Sequence, residues 1–117
     1  MTRVLVVEDE ADIREVIAEA LVGEGYEVAA AGDGPSALQL VREQAPHVAI
    51  LDLMMPELDG RGFLRECRVD PQCVTLQVIV LTAASPSKLD HLDVQAIVAK
   101  PFNLSELVDT VVSLAPA

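Results

Sequence analysis

Five short runs with almost no polar residues recur along the chain, separated by stretches in which apolar residues return every three or four positions. A run without a polar face cannot lie against water on either side. Each is therefore read as a strand covered above and below, and parallel strands joined by helices provide that cover. The runs are Val4–Val7, Glu27–Ala31, Val48–Leu51, Val78–Leu81 and Ala96–Ala99. They predict an α/β chain: a doubly wound, five-stranded parallel sheet with helices on both faces.

The intervening stretches carry the helical period. Ile13, Val16, Ile17, Ala20 and Leu21 form one apolar stripe opposite an acidic face, and Gly23 is placed to end that helix. After the turn Asp33–Gly34–Pro35, Ala37, Leu38, Leu40 and Val41 predict a second helix, and Phe63, Leu64 and Cys67 a third. The last helix has the best start signal. Asn103 can cap it, Glu106 follows three residues later as in a capping box, and Leu104, Leu107, Val108, Val111 and Val112 supply its stripe. The segment Ser85–Gln95, with Pro86 near its start and charges interspersed, has room for one short helix.

With 117 residues the chain is expected to form one domain spanning residues 1–117. Aromatics are only 3% and Trp is absent, so Val, Leu, Ile and Ala must build the core. Acids outnumber bases 19 to 8, for a net charge of -11, which repels a phosphate backbone and argues against direct nucleic-acid binding. Cys67 and Cys73 have no metal-ligand spacing and are expected to be reduced thiols. Met1–Thr2–Arg3 leads straight into Val4–Val7, an apolar run too short for a signal peptide or a membrane span. The expected setting is cytoplasmic, away from membranes.

The chemistry is read at the ends of the runs. Glu8 and Asp9 follow the first strand and Asp52 the third. In the strand order 2-1-3-4-5 these two strands are neighbours, and the carboxyl ends of such strands border the ligand crevice of an open sheet. The fourth and fifth strands bring Thr82 and Lys100 to the same rim. Clustered carboxylates repel one another when ionised, and Mg²⁺, which binds through one or two carboxylates and recruits phosphate oxygens, is the suited counter-ion. The set fits phosphoryl transfer to a carboxylate. Asp52 attacks in line, Lys100 and Mg²⁺ offset the charge, and the Thr82 hydroxyl donates to a phosphoryl oxygen.

In order and spacing, Val6-Val7-Glu8-Asp9-Glu10, Asp33-Gly34, Asp52-Leu53-Met54-Met55-Pro56, Asp59-Gly60, Leu81-Thr82-Ala83 and Lys100-Pro101-Phe102 resemble the CheY-like receiver domains of two-component response regulators. The resemblance covers the whole chain and implies a flavodoxin-like fold. It implies that Asp52 is the phosphoacceptor, Asp9 a direct Mg²⁺ ligand, Glu8 a ligand through water, and the Met54 carbonyl a further ligand. Lys100 would pair with the acceptor or its phosphoryl group, and the Lys100–Pro101 bond would be cis. The implied donor is a sensor histidine kinase or phosphotransfer protein. The implied recipient is a downstream protein or output domain, and homodimerisation is left open.

Two features depart from the family pattern. Three positions before Lys100, where an aromatic residue usually couples to Thr82, stands Ile97, so a polar-tipped ring cannot carry the signal. The stretch from Thr82 to Lys100 is also about one helical turn short, which implies a shortened fourth helix.

Two rival readings fare worse. An aspartyl-phosphate hydrolase needs a second carboxylate where Met54 stands, and room for a substrate cap. A receiver-like scaffold that binds without being phosphorylated would be expected to have lost one of Glu8, Asp9, Asp52, Thr82 or Lys100, and all five are present. His47 and His91 lie at no spacing suited to a metal or nucleophile, and neither is given a role. Met54 is expected to border the phosphoryl group with an apolar side chain that obstructs an attacking water. Phosphoryl loss, followed by radiolabel decay, should therefore be faster in Met54→Asn than in the wild type; equal or slower loss contradicts that expectation.

Overall fold

In the computed structural model, residues 2–53, 60–83 and 94–116 are described. The elements run β1 Arg3–Val7, α1 Ala11–Gly23, β2 Glu27–Ala31, α2 Gly34–Gln44, β3 Val48–Asp52, α3 Gly60–Val69, β4 Gln77–Thr82, β5 Ala96–Ala99 and α4 Leu104–Leu114. All strand pairs are parallel, in the order β2-β1-β3-β4-β5. The expected sheet is present, with strands extended by a residue where Arg3, Asp52, Gln77 and Thr82 join the ladder. The short helix expected within Ser85–Gln95 falls almost wholly on residues 84–93, outside the described residues.

Successive side chains of a strand point to opposite faces, so the central strands feed two separate cores. Leu5, Val7, Ala49, Leu51, Val78 and Val80 meet Ala37, Leu38 and Val41 of α2 and Phe63, Leu64 and Cys67 of α3. Val4, Val6, Val48, Ile50, Ile79 and Leu81 meet Ile17 and Leu21 of α1 and Leu107 and Val111 of α4. This double cover is why the central runs need no polar residues. β2 and β5 are edges and are only partly buried.

The helix stripes are narrower than the sequence period suggests. Ile17 and Leu21 are buried in α1, but Val16 is 51% exposed, and in α4 Val112 is 49% exposed. Each lies one position, about 100° of helix rotation, from a buried residue, so it sits on the flank of the contact.

Capping follows local chemistry. Asp33 accepts the Ser36 amide at 2.8 Å and Asn103 accepts the Glu106 amide at 3.3 Å. At the end of α1 the turn is made by Gly25, not Gly23. Gly25 has a φ of 94°, and the Gly25 and Tyr26 amides donate to the Val22 and Leu21 carbonyls at 3.0 and 3.2 Å, closing a Schellman motif.

The expectation of two reduced thiols is corrected: Cys67 and Cys73 form a disulfide, with Cα atoms 4.9 Å apart. The cause is the turn after α3. The Cys73 and Val74 amides both donate to the Asp70 carbonyl at 2.9 Å, and this folds the chain back beneath the last turn of α3. Both cysteines are fully buried there.

Burial and capping contribute unequally to α4. Leu107→Ala, which empties a fully buried site, should lower the unfolding free energy by about 2–5 kcal/mol. Asn103→Ala should cost about 1 kcal/mol. Urea unfolding should reproduce that order.

Candidate phosphoacceptor and metal site

Strand register builds the site. Val7 lies beside Leu51, Asp52 beside Leu81, and Thr82 beside Ala99. Glu8, next after Val7, therefore emerges level with Asp52, and Lys100, next after Ala99, emerges just beyond Thr82. The Lys100 amide donates to the Thr82 carbonyl at 2.8 Å, and the Lys100–Pro101 bond is cis. Phe102, just beyond, packs partly against the core beside α1 and α4, anchoring the loop that carries the lysine.

Three polar side chains are enclosed here: Glu8 is 1% exposed, Asp52 2% and Thr82 1%. Lys100 Nζ lies 3.1 Å from Asp52 Oδ2, an ion pair whose acidic member is almost fully buried. Exposed Asp9 completes the acidic group, and a carboxylate oxygen from each of Glu8, Asp9 and Asp52 lies within 4.8 Å of the others. Glu8 Oε1 accepts the Glu10 amide at 3.4 Å. Glu8 Oε2 is buried with no hydrogen-bond partner among the described residues. Burial, and then the adjacent Asp52 carboxylate, push the Glu8 carboxyl up to about 7, although Lys100 and the Glu10 amide pull the other way.

An unsatisfied buried carboxylate oxygen beside two further carboxylates fits a hard divalent cation with retained waters. Receiver domains as a family use Mg²⁺. The expected Met54 carbonyl ligand lies outside the described residues, as does His91. Five of the six expected site residues, Glu8, Asp9, Asp52, Thr82 and Lys100, thus converge at one end of the sheet. Ile97 sits on the edge strand and is 38% exposed. His47 is exposed, and its Nδ1 accepts the Arg3 amide at 3.0 Å, tying β1 to the start of β3.

Sequence reasoning missed Arg14. Its Nη1 donates to the Glu8 carbonyl at 2.7 Å, reaching from the first turn of α1 to the backbone of the acidic pair. The available signal was its place one helical turn beyond Glu10 in an otherwise acidic segment.

A family model for the response regulator receiver domain matches residues 4–112. Over 109 residues the chain is 41% identical to a probable transcriptional regulator ycf27 of Guillardia theta, covering 90% of this chain and 42% of that protein. It is 33% identical to a probable chemotaxis protein CheY of Rhizobium etli, covering 90% and 85%. The chemotaxis response regulator CheY4 of Vibrio cholerae superposes with a TM-score of 0.90 at 31% identity, covering 97% of this chain and 98% of that one. The chain belongs to the response-regulator receiver family, the signalling modules of two-component systems, and has its CheY-like fold. It spans less than half the length of the ycf27 relatives that it matches. Among the described residues no helix is long and apolar enough to cross a membrane.

The raised Glu8 value fixes the sign of a pH dependence. The unfolded chain releases this proton near 4.5, the folded one near 7. Stability without metal is therefore full below the first value and falls as pH rises through the second. The Ser36 amide lowers the Asp33 carboxyl, and the Gln72 amide and then Arg42 lower that of Asp70, so both titrate below this window. Urea unfolding with a chelator should show weaker folding near pH 8 than near pH 5 in the wild type, and a flattened profile in Glu8→Gln. Equal slopes in the two proteins contradict the assignment.

Proposed function

We propose that this chain accepts a phosphoryl group on Asp52 from a histidine kinase or phosphotransfer protein and passes the change on as an altered surface. The observation that carries this reading is the Lys100–Asp52 pair at 3.1 Å, its carboxylate buried beside Glu8 and within a carboxylate cluster that includes Asp9. Such a group is costly to bury. It has chemical use where a carboxylate must act as a nucleophile and negative charge must be offset.

A carboxylate oxygen of Asp52 attacks phosphorus. An O–P bond forms as the bond from phosphorus to the donor's imidazole nitrogen breaks, and the imidazole leaves with that electron pair. Glu8, Asp9 and Asp52 would hold Mg²⁺, with the Met54 carbonyl as a further ligand. When bound, the ion neutralises charge on the transferring oxygens. Lys100 follows the charge from the carboxylate to the phosphoryl group, and the Thr82 hydroxyl donates to a phosphoryl oxygen. Thr82 and Lys100 belong to β4 and to the loop after β5, so both changes reach the edge of the sheet. With Ile97 on that edge, the signal travels by movement of backbone and loop, not by rotation of an aromatic ring.

The chain acts by protein contact. The partners are the phosphoryl donor and a downstream protein or output domain, or a second copy of the chain, and the net charge of -11 argues against gripping nucleic acid itself. The setting proposed is the cytoplasm, and the role is that of a phosphoacceptor, not a turnover enzyme.

Intact-mass measurement after incubation with acetyl phosphate and Mg²⁺ tests the reading. The wild type should gain the mass of one phosphoryl group and Asp52→Asn should gain none. An unlabelled wild type contradicts it and favours a phosphorylation-independent scaffold; continuous turnover of a phosphate ester favours a hydrolase.

A further inference from the structure

We propose that Arg14 is a positioning residue for the acidic site, and that position 32 is glycine because the Arg14 guanidinium occupies the space a side chain there would fill. The inference rests on the cation-binding reading above.

The Glu8 backbone is held from two directions. Its amide donates to the Ala31 carbonyl at 3.0 Å, continuing the pairing of β1 with β2. Its carbonyl accepts Arg14 Nη1 at 2.7 Å. This second bond orients the peptide joining Glu8 to Asp9, and Asp9 lies beyond the ladder of strand bonds. The Arg14 amide in turn donates to the Glu10 carbonyl at 3.0 Å, so the arginine grips the turn through both backbone and side chain.

Gly32 follows the last residue of β2. A Cβ built on it would lie 2.9 Å from Arg14 Nη1, 3.7 Å from Cζ and 3.9 Å from the Glu8 carbonyl oxygen. The first distance is too short for real atoms, whereas its φ lies outside the left-handed range, so backbone strain does not require glycine here. A methyl group at position 32 would push aside only the end of a flexible side chain. The fold should tolerate the change while the Glu8 carbonyl loses its donor. Gly32→Ala thus removes the contact but keeps the charge, and Arg14→Ala removes both.

The distinction decides the sign of the effect. Through charge alone, loss of a nearby cation would tighten Mg²⁺ binding; through loss of positioning, binding weakens. Groups that orient metal ligands typically contribute about tenfold or more to affinity. Mg²⁺ titrations followed by amide NMR should show about tenfold weaker binding in both Arg14→Ala and Gly32→Ala. The double variant should be no weaker than either, and Arg14→Lys should recover part of the loss. Without metal, the Glu8, Asp9 and Glu10 amides should exchange faster in Arg14→Ala and Gly32→Ala than in the wild type. Wild-type affinity in Gly32→Ala, tighter binding in Arg14→Ala, or additive losses in the double variant overturn the proposal. If the wild type binds no Mg²⁺, the cation-binding reading fails on its own, and unchanged metal-free exchange in both single variants then overturns this one.

Discussion

Parallel pairing in a fixed register holds the C-terminal ends of four strands close together at one end of the sheet. Val7 beside Leu51, Asp52 beside Leu81 and Thr82 beside Ala99 leave the chain no freedom about where its first polar residues emerge. The apolar runs end near one another, so Glu8, Asp52, Thr82 and Lys100 gather at that end. A shift of one residue in β3 would turn Asp52 to the other face of the sheet and put Leu51 and Ile50 in the wrong cores. The same hydrophobic alternation that fills the two cores therefore aims these polar side chains.

That geometry comes at an electrostatic cost. Glu8 and Asp52 are both almost fully buried, and Lys100 stands 3.1 Å from Asp52. Glu8 is left with one oxygen bonded to the Glu10 amide and one without a partner among the described residues. Its carboxyl holds its proton to about 7 because burial and Asp52 together outweigh Lys100. A site built for stability alone would not keep such a group. The surface pairs Arg3–Glu27 and Arg42–Asp70, partly open to water, contribute little by comparison.

Much of this was legible in the sequence. The five runs were readable because strands covered on both faces must be apolar throughout, and the site because each acid, the threonine and the lysine stand where an apolar run stops. What depends on tertiary packing was not readable. Val16 and Val112 keep the helical period yet lie at the flanks of their contacts, which the neighbouring element decides. Cys67 and Cys73 are joined because a turn after α3 reverses the chain, and their spacing alone does not announce that turn. Gly25 replaces Gly23 as the left-handed residue because α1 runs to Gly23 before it ends. Arg14 and Gly32 are linked only through space, across α1 and β2, so neither marks the other in the chain.

The central claim is that the sheet forces carboxylates together in a way that a divalent cation relieves. Its most direct measurement is the unfolding free energy near pH 8, with and without saturating Mg²⁺, in the wild type and in a variant carrying both Asp9→Asn and Asp52→Asn. A ligand that binds only the folded state must raise stability. The account predicts that Mg²⁺ stabilises the wild type and leaves the double variant unchanged. A wild type indifferent to Mg²⁺, or an equal gain in both proteins, would contradict it.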